Sequence, residues 1–281
     1  MEMGFVQRMF LAAFLASVAC GLIGTYVVVR RIVFISGGIA HSTFGGIGAA
    51  YLIQAAGWTW FDPLLGALLF ALGAAVILSS KWMREKIRED STIGILWVVG
   101  MALGILFINL VDQSKVQVQD PMSILFGNIL LIGRSDLILM GALVCIIVVL
   151  TTVLFKDLKI LTFDEEFAKV SGMNVQVMNL LLLTMIAFTT VILIKVVGVI
   201  LIIAMLTIPP AVSGIFMHRL RPMMVTAVGV GVALTFLGSL MSLQFDLPPG
   251  ATIVTVMGAS FVAVMAGKGV ASRISGNWAS E

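Results

Sequence analysis

Apolar residues in this chain fall into nine runs, separated by short polar stretches. They lie at about 9–29, 34–54, 62–80, 92–111, 135–155, 176–194, 196–216, 223–243 and 251–267. A hydrocarbon layer of roughly 30 Å takes about 20 helical residues to cross, so each run has the length of a membrane span. Lipid offers no partner for peptide N–H and C=O groups, and the runs are therefore predicted to be helical. One junction is ambiguous. Lys195 and Gly198 form either a tight turn or a break inside one long span, so the pattern predicts eight or nine spans.

Two longer connections interrupt the runs. Residues 112–134 include an apolar piece, 122–132, that is too short to span and is expected to lie at the membrane interface or to dip back into protein. Residues 156–175 read as a connection with a short helix of its own. The chain shows no soluble domain, and the expectation is one transmembrane domain over 1–281, all-α and polytopic.

Composition agrees with the pattern. Hydrophobic residues make up 60% of the 281 and charged residues only 11%, whereas a soluble domain carries about a quarter charged residues. Mean hydropathy is +1.14. Only Glu2 and Arg8 are charged ahead of the first run and no small-residue cleavage site follows it. Residues 9–29 are thus expected to be a retained span rather than a removed signal peptide. Cys20 and Cys145 lie inside apolar runs and read as small buried hydrophobes.

The net charge of +3 calls for no nucleic-acid partner, but its distribution sets an orientation. With the 81–90 loop inside, alternation puts five basic sets inside: Arg30–Arg31; Lys81, Arg84, Lys86 and Arg88; Lys156, Lys159 and Lys169; Arg219 and Arg221; Lys268 and Arg273. Only Arg8, Lys115, Arg134 and Lys195 fall outside or near the outer face. The positive-inside rule then favours nine spans, with the N-terminus out and the C-terminus in.

Three stretches could carry function. In the second run, Gly38, Ser42, Gly46 and Ala50 form one strip of small residues at helical spacing, beside a second strip of Gly37, His41, Gly45 and Ala49. Small residues at this spacing let helix backbones approach closely, so this face is expected to meet another helix. His41 sits in its middle. An ionisable group within a span is a functional candidate, and imidazole is a common metal ligand. The other reading is an interhelical hydrogen bond that fixes packing.

The second stretch, Gln244–Thr252, holds Pro248, Pro249 and Gly250, which force a break between the last two spans. Asp246 reads either as an ordinary charge near a helix N-terminus or as a carboxylate at the outer mouth of a pathway. Pro209–Pro210 is expected to break the seventh run within the membrane, where unwound backbone is tolerated only if it is buried or lines a cavity. The third stretch, 162–174, reads as a short helix. Thr162 or Asp164 can cap it, Asp164, Glu165 and Glu166 supply acids for its first turn, and Gly172 can end it. Phe163, Phe167 and Val170 share one side of it. So short a helix with an apolar side is expected to dock, on a partner or on its own membrane domain.

The chain lacks the phosphate-loop pattern Gly-x-x-x-x-Gly-Lys-[Ser/Thr], His-Glu-x-x-His and Gly-x-Ser-x-Gly. His41 and His218 are its only histidines, and His218, beside Arg219 and Arg221, reads as a solvated loop residue. An enzyme is not expected.

The sequence resembles the membrane permease subunits of the bacterial and archaeal ABC importers for zinc, manganese and iron ions. The resemblance rests on Val27–Arg31 before the Ala40–His41 helix, Asp164–Ala168 through Gly172, Val197–Leu201, Ala204–Leu206 with Ile208–Ala211, and Asp246–Ala251. It covers roughly residues 10–265. It implies a homodimer in the cytoplasmic membrane of a prokaryote, with two ATPase subunits on its inner face and an extracytoplasmic metal-binding protein outside. Asp164, Glu165, Glu166, Phe167, Ala168 and Gly172 would belong to a coupling helix over about 163–172 that docks on the ATPase. His41 and Asp246 would lie on the metal pathway. The cargo would be a divalent metal ion, with no cofactor held permanently.

In one place the sequence departs from the family. Many members carry Gly-Asp before the histidine where this chain has Gly37–Gly38, so an expected carboxylate is missing. Oxygen ligands suit manganese and imidazole suits zinc among others. A permease for a metal chelate of siderophore, haem or cobalamin type is the nearest alternative. A secondary transporter driven by an ion gradient is a more distant one, because it predicts several membrane-embedded carboxylates.

Overall fold

The computed structural model describes residues 4–112, 114, 116–127 and 133–274. Thirteen helices are found among them: α1 (Phe5–Val29), α2 (Val33–Ala55), α3 (Pro63–Ser79), α4 (Lys81–Lys86), α5 (Glu89–Leu110), α6 (Pro121–Phe126), α7 (Arg134–Val153), α8 (Phe155–Phe163), α9 (Glu165–Val170), α10 (Val175–Val197), α11 (Val199–Phe216), α12 (Leu220–Phe245) and α13 (Pro249–Ile274). No strand occurs among the described residues. Each of the nine apolar runs falls on one long helix. Seven of these, α1, α5, α7 and α10 to α13, are long and apolar enough to cross a membrane. Helix α3 is apolar but has 17 residues. Helix α2 falls outside the seven because its glycines, hydroxyls and histidine dilute its hydropathy.

The connections gather at two ends of the bundle. At the basic end, Arg30 reaches both Asn179 and Glu165. Lys81 and Glu85 share a groove with Lys169 and Asn174, and Phe155 and Lys156 share another with His218 and Arg219. At the opposite end, Tyr51, Asp62, Gln119, Ser123 and Ile194 line one cavity of about 100 Å³. Helix α10 therefore starts at the basic end, and α11 finishes there. The chain must reverse at the single residue between them, Gly198 (φ +79°, ψ 160°). This settles the Lys195–Gly198 junction as a turn. Gly198 packs directly against Gly127 (φ +68°), and a Cβ on either would collide with the other's backbone. Only glycine combines positive φ with so close an approach.

Helix α6 accounts for the described part of the 122–132 piece; residues 128–132, like Glu2 and Lys115, lie outside the described residues. Its Ile124 is buried, and it packs on α10, α11 and α13. Ile124 thus packs into the protein, while Met122 on the same helix is exposed.

The innermost helix is α2, with every residue from Ile35 to Gly48 buried. Its main neighbours are α5 and α3. The α1 and α10 spans are 67% and 61% buried, whereas those of α5 and α13 are only 22% buried and form the periphery. Helices in lipid gain little from mutual apolar burial, so contact depends on close backbone approach. Small residues supply it here: Gly21 against Val228, Gly231 against Ser17, Gly238 against Ile253.

Two expectations are corrected. Pro209 and Pro210 do not break α11, which runs continuously from Val199 to Phe216 with both prolines buried inside it. The prolines remove the N–H groups that would have bonded the carbonyls of Met205 and Leu206. At Leu206 the freed oxygen faces Gly24 of α1, where no side chain intervenes. Tertiary packing thus accommodates what an isolated helix would not. Cys145 is exposed on peripheral α7, while Cys20 is buried as expected.

Candidate functional site

His41 lies in the ninth position of α2, about 12 Å from its basic end at helical rise. It is 6% exposed. Its ring stacks on Trp97 of α5, with centroids 4.2 Å apart and planes inclined by 21°. Among the described residues its Nδ1 has no hydrogen-bond partner. A buried imidazole nitrogen left unpaired is costly, and imidazole nitrogens are common metal ligands.

The two small-residue strips explain how a tryptophan fits there. A Cβ at Gly37 would stand 2.8 Å from the Trp97 ring, and one at Gly38 would stand 3.2 Å from Ile93 Cγ2. Gly37 and Gly38 are the floor on which α5 rests. Ser42 Oγ donates to the Gly38 carbonyl at 2.8 Å and reaches the Leu96 carbonyl at 3.4 Å. Gly45 meets the carbonyl of Gly100 and the ring of Phe70, and Gly46 meets the backbone of Gly66. So α2 is clasped between α5 and α3 of its own chain. Trp97 went unnoticed in the sequence because it lies inside an apolar run. That position was itself a signal, since membrane tryptophans usually sit at the ends of spans.

Asp246 is elsewhere. It caps the C-terminus of α12 in the left-handed conformation (φ 51°, ψ 43°), three residues before α13 begins. It is exposed, and among the described residues its carboxylate has no hydrogen-bond or ion-pair partner. Ser242 secures the turn, accepting from the Leu247 N–H at 3.0 Å through its carbonyl and donating to the Leu247 carbonyl at 2.6 Å. As the cap of α12 its negative charge opposes that helix's dipole, while it also lies just ahead of α13. Gly250 packs on Phe126 of α6, placing this turn at the end opposite the basic one. His41 and Asp246 are not brought together. They stand at different depths, about 20 Å apart along the helix axes at helical rise. Pro209 and Pro210 lie on α11, between α12 and α2 in the packing order.

The 162–174 stretch forms α8 and α9 around Asp164. Its Oδ1 accepts the Phe167 N–H at 2.8 Å, so Asp164 is the cap. Thr162 instead donates to the Leu158 carbonyl. Glu165 lies 3.7 Å from both Arg30 and Lys169, and Glu166 is exposed. Ala168 is buried where α9 meets α8 and α10. Gly172 follows the helix with φ +81°. Phe163, Phe167 and Val170 are 61%, 55% and 87% exposed, so the apolar side does not rest on the membrane domain. Among the described residues no group of three or more His, Cys, Asp or Glu side chains is placed to hold a metal ion.

The family model of the ABC 3 transport family matches residues 2–268. The chain belongs to that family. Its relatives include a protein of Chlamydia trachomatis named a probable metal transport system membrane protein, 37% identical over 89% of this chain and 85% of the relative. The manganese transport system membrane protein MntC of Halalkalibacterium halodurans is 30% identical over 92% of this chain and 85% of its own length. Among solved structures, PsaBC from Streptococcus pneumoniae in complex with Fab matches with a TM-score of 0.81 and 28% identity. That match covers 94% of this chain and 91% of the other. This ABC 3 chain is a transport permease, and its fold is that of an ABC importer permease.

Proposed function

We propose that this chain is the membrane permease of an ABC importer for divalent metal ions in a prokaryotic cytoplasmic membrane. It works as a homodimer with nine spans per protomer and the basic end inside. Two ATPase subunits dock on the exposed apolar side of α9, and a metal-binding protein delivers the ion to the opposite end near Asp246. The ion then passes His41 on its way inward. ATP hydrolysis belongs to the partner subunits, and this chain converts their closure into opening of the pathway.

The observation that carries the metal reading is the buried, unpartnered Nδ1 of His41 against the Trp97 ring. The metal transport names of its relatives support it. A site that holds an ion in transit needs few protein ligands, because tight binding would prevent release. The test is ATP-dependent uptake by the reconstituted permease–ATPase complex, with zinc, manganese and iron offered in parallel. At least one ion is transported, and His41→Ala lowers its uptake about tenfold or more, the usual scale for disturbing a metal ligand or its support. Uptake of none of the three ions would overturn the substrate class. Full uptake by the variant would remove His41 from the pathway.

A further inference from the structure

A second groove opens at the basic end, well away from the proposed ion path. It is about 790 Å³ and is lined by Phe155, Lys156, Lys159 and Phe163 on one side and by residues 218–222 on the other. Lys156, Lys159, His218, Arg219 and Arg221 all border it and all are exposed. No carboxylate is in the lining. Asp157, the acid in the first turn of α8, does not border the groove. Among the described residues, none of the four Lys and Arg cations, Lys156, Lys159, Arg219 and Arg221, is in an ion pair. Arg221 lies over the face of Phe155, 4.5 Å from its centroid, which holds one guanidinium against the wall.

Four cations held together without acids repel one another, and the arrangement is relieved by an anion. Its position indicates the anion's source. The three helices that lead into the groove carry exposed apolar side chains next to it: Val153 on α7, Phe216 on α11 and Val225 on α12. The groove thus sits where an apolar, lipid-facing wall meets the basic end. Basic pockets between transmembrane helices on that side suit anionic lipid head groups. We infer that this groove binds the phosphate oxyanion of an anionic phospholipid, with its acyl chains lying along α7 and α12.

The complete permease–ATPase complex, purified in neutral detergent, is titrated with short-chain phosphatidylglycerol, phosphatidylcholine and inorganic phosphate, and bound ligand is read by native mass spectrometry. Phosphatidylglycerol should bind at least about tenfold more tightly than phosphatidylcholine, since only it presents net charge to the cations. The Lys159→Gln/Arg219→Gln variant should bind it about 25-fold more weakly, roughly fivefold per cation, with its ATPase subunits still co-purifying. The charge-preserving Lys159→Arg/Arg219→Lys variant should retain binding, which separates lost charge from damaged folding. Equal affinity for the two lipids, or wild-type binding by the glutamine variant, overturns the inference. Displacement of the lipid by an equal concentration of inorganic phosphate overturns the lipid as the source. Loss of ATPase co-purification with lipid binding unchanged assigns the groove to a protein interface instead.

Discussion

Single residues decide whether α2 can lie where it does. Gly46 meets the backbone of Gly66, which cannot rotate away as a side chain could. Gly46→Leu should therefore cost about 1–3 kcal/mol, the usual range for overpacking a filled core. Gly94 has nothing within 4 Å of a Cβ, so Gly94→Ala should be neutral or gain about 0.5–1 kcal/mol from helix propensity. Thermal unfolding of the purified permease in detergent measures both, and equal effects would discredit the packing account. Asp246 permits a sharper separation. Asparagine tolerates the left-handed conformation nearly as aspartate does, and it removes a charge that opposes the α12 dipole. Asp246→Asn should leave stability unchanged or raise it by about 0.3–1 kcal/mol, while uptake falls. If uptake stays at the wild-type level, the carboxylate serves neither gate nor ligand. Trp97 shows where residue-level reading stops. The Gly37–Gly38 pair declared that something approaches closely, but only the pairing of α2 with α5 shows that the visitor is an aromatic ring stacked on His41.

At the scale of elements, α9 combines a cap, a first turn of acids and an apolar side that none of the described residues covers. Glu166→Arg adds the wrong charge beside that side without touching Ala168, the residue that seats the helix. It should reduce co-purification of the ATPase subunits while the permease still folds. Asp164→Ala should loosen the same helix by about 1 kcal/mol through loss of its cap, visible as faster backbone hydrogen exchange over α9. Much of this was legible beforehand, because the signals are local: the capping aspartate, the acidic first turn, the terminating Gly172 and apolar residues spaced by four and three. The nine runs were legible for the same reason, since apolar length maps directly onto helix length. Pro209–Pro210 misled because the rule that proline breaks helices is also local, and it takes no account of Gly24 beside the freed Leu206 carbonyl. The packing of α6 and the reversal at Gly198 stayed open until the glycine-to-glycine contact with residue 127 was seen.

For the whole molecule, the proposed docking at α9 needs a connection to the core helix α2. Arg30 provides the junction. It ends α1 just ahead of α2, donates to Asn179 Oδ1 of α10 at 2.6 Å, and lies 3.7 Å from Glu165 in the first turn of α9. Arg31 follows it with φ +59°, so the α1–α2 connection is a tight, conformationally demanding turn rather than slack chain. On the proposed docking, a displacement of α9 would pull on the turn that positions both α1 and α2, and α2 carries His41. The Arg30–Glu165 pair is partly exposed and is worth little as stability; it links α9 to the α1–α2 turn. Arg30→Gln keeps a hydrogen bond to Asn179 within reach and gives up the charge contact to Glu165. The reconstituted variant complex should retain its ATPase subunits and hydrolyse ATP at a rate near wild type, while metal uptake per ATP falls severalfold. If uptake per ATP is unchanged, force reaches α2 by another route, through α10 or the packed face of α8.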